Sequence, residues 1–105
     1  MNLEQARKRF IPLSETMLYI LLSLKNEMHG YGIMQNVNAL TDGRIELGAG
    51  TVYQTLSKLE NGGLIVATDE KDRRKLYKIT PVGIEILKEE KQRITEIYQN
   101  MEQLV

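Results

Sequence analysis

The chain has 105 residues, with 14 basic side chains against 14 acidic ones, and no cysteine. That length suits one small domain with a modest core, for which a partner subunit is expected. Without cysteine there is no disulfide framework, thiolate metal site or thiol redox sensor, and zero net charge excludes a polycation that coats nucleic acid indiscriminately.

Residues 2–9 form a short amphipathic helix in this reading, with Leu3, Ala6 and Phe10 on one side, and Pro12 breaks it. Arg7-Lys8-Arg9 ahead of the apolar run from Thr16 to Leu24 mimics a signal peptide. Glu15 interrupts it, no small-residue cleavage site follows, and the run is short of the about 20 residues that span a bilayer. A central core helix over 15–25, capped by Ser14, is expected, in a cytoplasmic protein with no membrane partner. His29-Gly30-Tyr31-Gly32 reads as a turn opening a third helix over 31–40, with Ile33, Val37 and Leu40 inward; Thr41-Asp42-Gly43 ends it. Arg44-Ile45-Glu46-Leu47 alternates and is expected as a short strand.

The next segment, residues 50–65, is the most informative. Val52, Leu56 and Leu59 follow a buried helical stripe. Thr51, Gln54, Thr55 and Lys58 make a second stripe of hydroxyls, an amide and a cation, without a carboxylate. Such groups meet phosphates and base edges. Gly62-Gly63 stops the helix. Residues 64–68 and 75–79 read as paired strands, with a charged hairpin tip over 69–74. Thr80 caps a last helix with Pro81 at its first position. Ile84, Leu87, Ile94, Ile97, Tyr98, Met101 and Leu104 carry its apolar stripe to the end of the chain. Three short helices cannot cover the about 36 Å of such a helix, so its far half calls for a partner helix.

The expected fold is mostly α with a small β wing: a winged helix-turn-helix with an N-terminal helix (residues 1–80), followed by a long C-terminal dimerisation helix (residues 81–105). In order and spacing, His29-Gly-Tyr-Gly32, Gly50-Thr-Val-Tyr53, Leu59-Glu-Asn-Gly-Gly-Leu-Ile65 and Arg73-Arg-Lys-Leu-Tyr-Lys-Ile-Thr-Pro-Val-Gly83 resemble the PadR family of bacterial transcriptional regulators. The resemblance covers residues 12–87, and the single C-terminal helix looks like the short-form branch. It implies a homodimeric repressor that binds palindromic promoter DNA and is released by a small aromatic or hydrophobic effector. Some short-form members stack flat drugs on a tryptophan of the last helix; this chain has none.

On this reading Thr51, Gln54, Thr55 and Lys58 face the DNA groove, with Tyr31 and Tyr53 as phosphate donors or packing groups. Arg73, Arg74 and Lys75 belong to the wing tip, where Asp69, Glu70 and Asp72 dilute their charge. Leu3, Phe10, Ile94, Ile97, Tyr98, Met101 and Leu104 are assigned to the dimer interface or an inter-subunit ligand pocket. His29, the only histidine, is a helix-start residue, and no metal or cofactor is expected. Glu89-Glu90 reads as solvated surface. No nucleophile–base pair or phosphate loop appears, so an enzyme is not expected. The rival reading is a winged-helix protein–protein interaction module whose wing docks an acidic partner.

Overall fold

The computed structural model describes residues 2–105, the side chain of Lys71 excepted. Five helices and one hairpin follow in the order α1 (Leu3–Phe10), α2 (Glu15–Ser23), α3 (Gly30–Leu40), α4 (Ala49–Asn61), β1 (Ile65–Lys71), β2 (Arg74–Ile79) and α5 (Pro81–Glu102). Each boundary has a local cause. Asn2 and Gln5 form a reciprocal capping box on α1. Ser14 Oγ accepts the Met17 amide at the start of α2, and Thr80 Oγ1 accepts the Gly83 amide above Pro81 at the start of α5. His29 caps α3, its Nδ1 accepting the Gly32 N–H at 3.1 Å. Gly63, at φ 78°, turns the chain out of α4, a conformation that side-chain-bearing residues adopt at a cost.

The core is shared by every element. Ile20 and Leu21 from α2 and its C-cap Leu24 share one cluster with Ile33 and Val37 from α3, Val52, Leu56 and Leu59 from α4, Ile65 from the wing and Ile86 from α5, all buried. The antiparallel hairpin pairs Ile65 with Ile79 and Lys71 with Arg74, with a register irregularity between Ala67 and Asp69. A single bridge from Met28 to Tyr77 ties the α2–α3 connection to β2.

Several expectations need correction. Residues 44–47 form no strand. Thr41 Oγ1 accepts the Ile45 amide and Arg44 pairs with Glu15, so the segment is held as a loop in which Ile45 and Leu47 pack partly against the core. Alternation without a neighbouring strand edge is insufficient for a strand. Leu40 lies at the last turn of α3 and is exposed; the half-buried Met34 packs on the core instead. The strands run further outward than expected, so the wing tip is Asp72-Arg73 and not the whole of 69–74.

The largest correction is Glu90. It is fully buried, its carboxylate accepting the Leu13 amide at 2.5 Å and both Nε and Nη2 of Arg93. Burial by itself pushes this carboxyl up. The Arg93 hydrogen bonds, the Leu13 amide and the Arg93 charge outweigh that and hold it below its ordinary value. Glu89 beside it is the surface member, in an ion pair with Arg7 of α1.

Two outcomes follow for stability. A Cβ at Gly83 would land on the Leu64 carbonyl and press on Ile79, so Gly83→Ala should cost about 3 kcal/mol, the upper part of the overpacking range, read as a lowered urea midpoint. Glu90 titrates lower folded than unfolded, so its contribution is complete above the ordinary carboxylate range and is lost as pH falls through the folded value. Urea midpoints of the parent and Glu90→Gln should therefore differ at pH 7 and converge on acidification; a constant gap would contradict this assignment.

Candidate nucleic-acid interface

The buried stripe of α4 determines what its outer face holds. With Val52, Leu56 and Leu59 inward, Thr51, Tyr53, Gln54, Ser57 and Lys58 are exposed. Thr55 is not: it lies three residues after Val52 and four before Leu59, within the inward arc, and is 8% exposed. It leaves the groove-facing set. Ser57, three residues beyond Gln54 and four beyond Tyr53, takes its place. Helical spacing alone could have found Ser57 had the polar face been centred on Tyr53 and Gln54. No carboxylate stands among these five side chains, and Glu60 is on the flank, partly buried.

The start of α4 is equally open. Gly48 occupies the N-cap without a side-chain hydrogen bond, so amides of the first turn lack a capping group from the chain. A Cβ at Gly48 or Gly50 would meet nothing within 4 Å. Packing therefore requires neither glycine. A bare, amide-rich helix start is suited to a phosphate.

Tyr53 leans across to α3. A Cβ at Gly30 would lie 2.7 Å from its ring carbon Cζ and its hydroxyl, so the ring rests on the Gly30 backbone at the head of α3. Tyr31 follows, exposed, with its ring stacked on His29 at 6.4 Å between centroids. Both tyrosines thus flank one surface with about half of each exposed. Next to it is a shallow depression of about 330 Å³ lined by Tyr31, Met34, Gln35, Asn38, Glu46 and Leu47. Gln35 and Asn38 add amides that the sequence reading did not select; Glu46 brings a carboxylate to the edge.

The wing supplies cations. Arg73, Arg74 and Lys75 are all exposed, Arg73 in the left-handed region at φ 65°. Arg74 borders a cleft of about 610 Å³ with Glu27, His29 and Asp72, which places the wing beside the α3 cap. Among the described residues none of Lys58, Arg73, Arg74 and Lys75 is held in an ion pair, so their charges remain available to phosphate. Among the same residues no group of His, Cys, Asp and Glu is arranged to hold a metal ion, and no helix is long and apolar enough to cross a membrane.

The second assigned surface divides. Phe10 is buried within its own chain over Gly62 and is not free for a partner, whereas Leu3 packs only partly on the same core. Ile94, Ile97, Tyr98 and Met101 are 42–60% exposed and line a groove of about 820 Å³ with Leu18, Leu22 and Arg93. Leu104 extends beyond it, almost fully exposed. Tyr19 and Leu22 are groove residues that periodicity does not mark as surface, because α2 is apolar nearly all round; Ile84, from the apolar stripe of α5, lines the groove with them.

Comparison with known proteins agrees with this architecture. The model of the transcriptional regulator PadR-like family matches residues 17–89, and the chain belongs to that family. It is 30% identical over 89 residues to transcriptional regulator YqjI of Escherichia coli K12, covering 84% of this chain and 43% of that protein, so it spans less than half the length of that curated relative. A PadR family transcription regulator from Clostridium difficile R20291 superposes with a TM-score of 0.74 at 26% identity, over 86% of this chain and 97% of the other. A PadR family regulator from Eggerthella lenta DSM 2243 gives 0.71 at 25% identity, over 97% of this chain and 86% of the other. The family and fold are those of transcription regulators, proteins that bind DNA.

One variant separates a glycine kept for packing from one kept for a partner. Gly50→Ala adds a methyl in open space within a helix. It should stabilise the free protein by about 0.5–1 kcal/mol, read by urea titration, and weaken DNA binding in the same preparation.

Proposed function

We propose that the chain is a homodimeric, sequence-specific DNA-binding regulator that represses a promoter through a palindromic site and is relieved by a small aromatic or hydrophobic effector. The observation that carries this reading is the outer face of α4: five exposed side chains with no carboxylate, above a helix start whose amides lack a side-chain cap. In this reading residues 1–80 are the DNA-binding head and 81–105 the dimerisation helix. Gln54 reads adenine, Lys58 reads guanine or holds a phosphate, and Thr51 with the α4 amides holds a phosphate. Tyr31, Tyr53 and Ser57 add donors beside them. Arg73, Arg74 and Lys75 clamp the backbone or enter the minor groove next to it.

Dimerisation supplies what one head lacks. A second copy seated along the far half of α5 would cover Ile94, Ile97, Tyr98 and Met101, an apolar stripe that water otherwise meets. Two recognition helices would then enter successive major grooves about 34 Å apart, which makes the site palindromic. An effector held between the two stripes would shift the pair to a spacing that misfits DNA. Action on DNA sets the compartment as the cytoplasm. The interaction-module alternative loses weight because Lys58 shares the exposed face of α4 with an amide and hydroxyls and no carboxylate, a mixture suited to DNA more than to an acidic protein surface.

The direct test is binding of the purified protein to its own promoter and to a scrambled duplex across a salt series. The reading predicts tighter binding to the promoter, two chains per site, and affinity that falls steeply with salt. Equal weak binding to both duplexes would contradict it. Lys58→Ala should cost about 1–3 kcal/mol and relax base preference at one position, whereas Arg74→Ala should weaken all sequences alike and flatten the salt slope by about one unit. For the dimer, Ile97→Glu should shift the sedimenting species from two chains towards one while circular dichroism stays unchanged, because a carboxylate buried in an apolar seam has no partner there.

A further inference from the structure

Glu90 is the last buried residue of α5. Before it, Gly83 and Ile86 anchor the helix to the head; beyond it, Arg93 is partly exposed and the remaining turns lie open. The remaining length, from Glu90 to Glu102, is about 18 Å, so a tilt of about 10° at Glu90 would displace its end by about 3 Å. Orientation at this point therefore sets where a partner copy and its recognition helix fall.

Two segments meet here, α5 and the α1–α2 connection, while Arg93 grips the same carboxylate from one turn further along α5. Glu90 Oε1 accepts the backbone amide of Leu13, which joins the α1–α2 connection just ahead of the Ser14 cap. Both carboxylate oxygens also receive Arg93, Oε2 from Nε at 2.5 Å and Oε1 from Nη2 at 3.0 Å. Arg93 in turn lines the apolar groove with Ile94 and Tyr98. A helix needing only stability at this position would carry an apolar residue like Ile86, since a buried ion pair seldom improves on packed hydrocarbon. What the pair adds is direction: an amide and a two-pronged guanidinium accept one carboxylate orientation. Covering the groove would remove water from Arg93 and strengthen its hold.

We propose that Glu90, held by the Leu13 amide and Arg93, is a positioning residue that sets the angle between the dimerisation helix and the DNA-binding head. The inference rests on the dimeric reading above. It does not need DNA to be tested. The chain has no cysteine, so Ser57→Cys on the exposed face of α4 places one nitroxide per subunit, and pulsed dipolar spectroscopy of the free protein reads the distance between the two recognition helices.

The parent should give one narrow distance distribution. Glu90→Gln, which keeps the acceptor for Leu13 and loses the charge pairing, should broaden it about twofold while the protein remains dimeric by sedimentation. Glu90→Leu with Arg93→Leu replaces the pair with packed hydrocarbon and should broaden it too, with the fold retained. Ile33→Val, a core truncation in α3 that takes no part in the Glu90 hydrogen bonds and costs about 0.5–1.5 kcal/mol, should leave the distribution narrow, which separates positioning from general loss of stability. Equally narrow distributions in all four proteins would overturn the inference and leave the dimer intact. A broad parent distribution would overturn it as well. A parent that sediments as a monomer, without a dipolar signal, would overturn both this inference and the dimeric reading.

Discussion

Burial of one side of α4 is the constraint from which the proposed DNA-facing surface follows. Val52, Leu56 and Leu59 are almost fully removed from water, and each such side chain contributes roughly 1.5–3 kcal/mol of burial energy. Once they are inward, 3.6 residues per turn leave no choice about the rest. Tyr53, Gln54 and Ser57 must face out, and Thr55 must not. The same core holds Ile33 and Val37, so α3 is fixed against α4, and the Gly30 backbone offers Tyr53 a surface on which to lie. A bulkier residue at position 30 would displace that ring. The interface is thus a by-product of core packing, with its polar groups supplied by positions the core does not use.

The wing and α5 depend on a second junction. Thr80 ends β2 and caps α5, and its hydroxyl also donates to the Gly63 carbonyl that follows α4. Gly83 then allows α5 to pass against the Leu64 backbone. Helix α4, the wing and the last helix are therefore joined within a few residues. Helix α1 returns to α5 through Arg7 and Glu89 and supports Gly62 with Phe10. A change of angle in α5 reaches the end of α4 through short, backbone-rich contacts, the kind of connection by which an event at the last helix would reach a DNA-binding head.

The helices were legible from sequence because their signals are local. Ser14, Thr80, Pro81 and Gly63 act within one turn of themselves, and the stripe of α4 repeats often enough to be counted. What was misread depended on contacts between distant residues. Alternation at 44–47 has no strand to pair with. Phe10, on the apolar side of the first helix, reads as an interface residue until Gly62, far along the chain, provides its socket. Glu90 sits in Lys/Glu-rich sequence and gives no local hint that Leu13 will present an amide to it. Thr55 stands at the border of two stripes: it follows the i, i+3, i+4, i+7 spacing of Thr51, Gln54 and Lys58 and also lies between Val52 and Leu59, and burial places it with the latter.

On the proposed reading the outer face of α4 enters the major groove twice per dimer. Tethered cleavage tests this most directly. Gln54→Cys, in a chain without other cysteines, carries an iron chelate that cuts DNA close to the attachment point. The account predicts two cut clusters on promoter DNA, related by a dyad and about 10 base pairs apart. The same reagent at Glu96, on the far half of α5, should cut nowhere in that pattern. Cleavage from position 54 that is absent, or no more localised than from position 96, would contradict the assignment of α4 as the recognition helix.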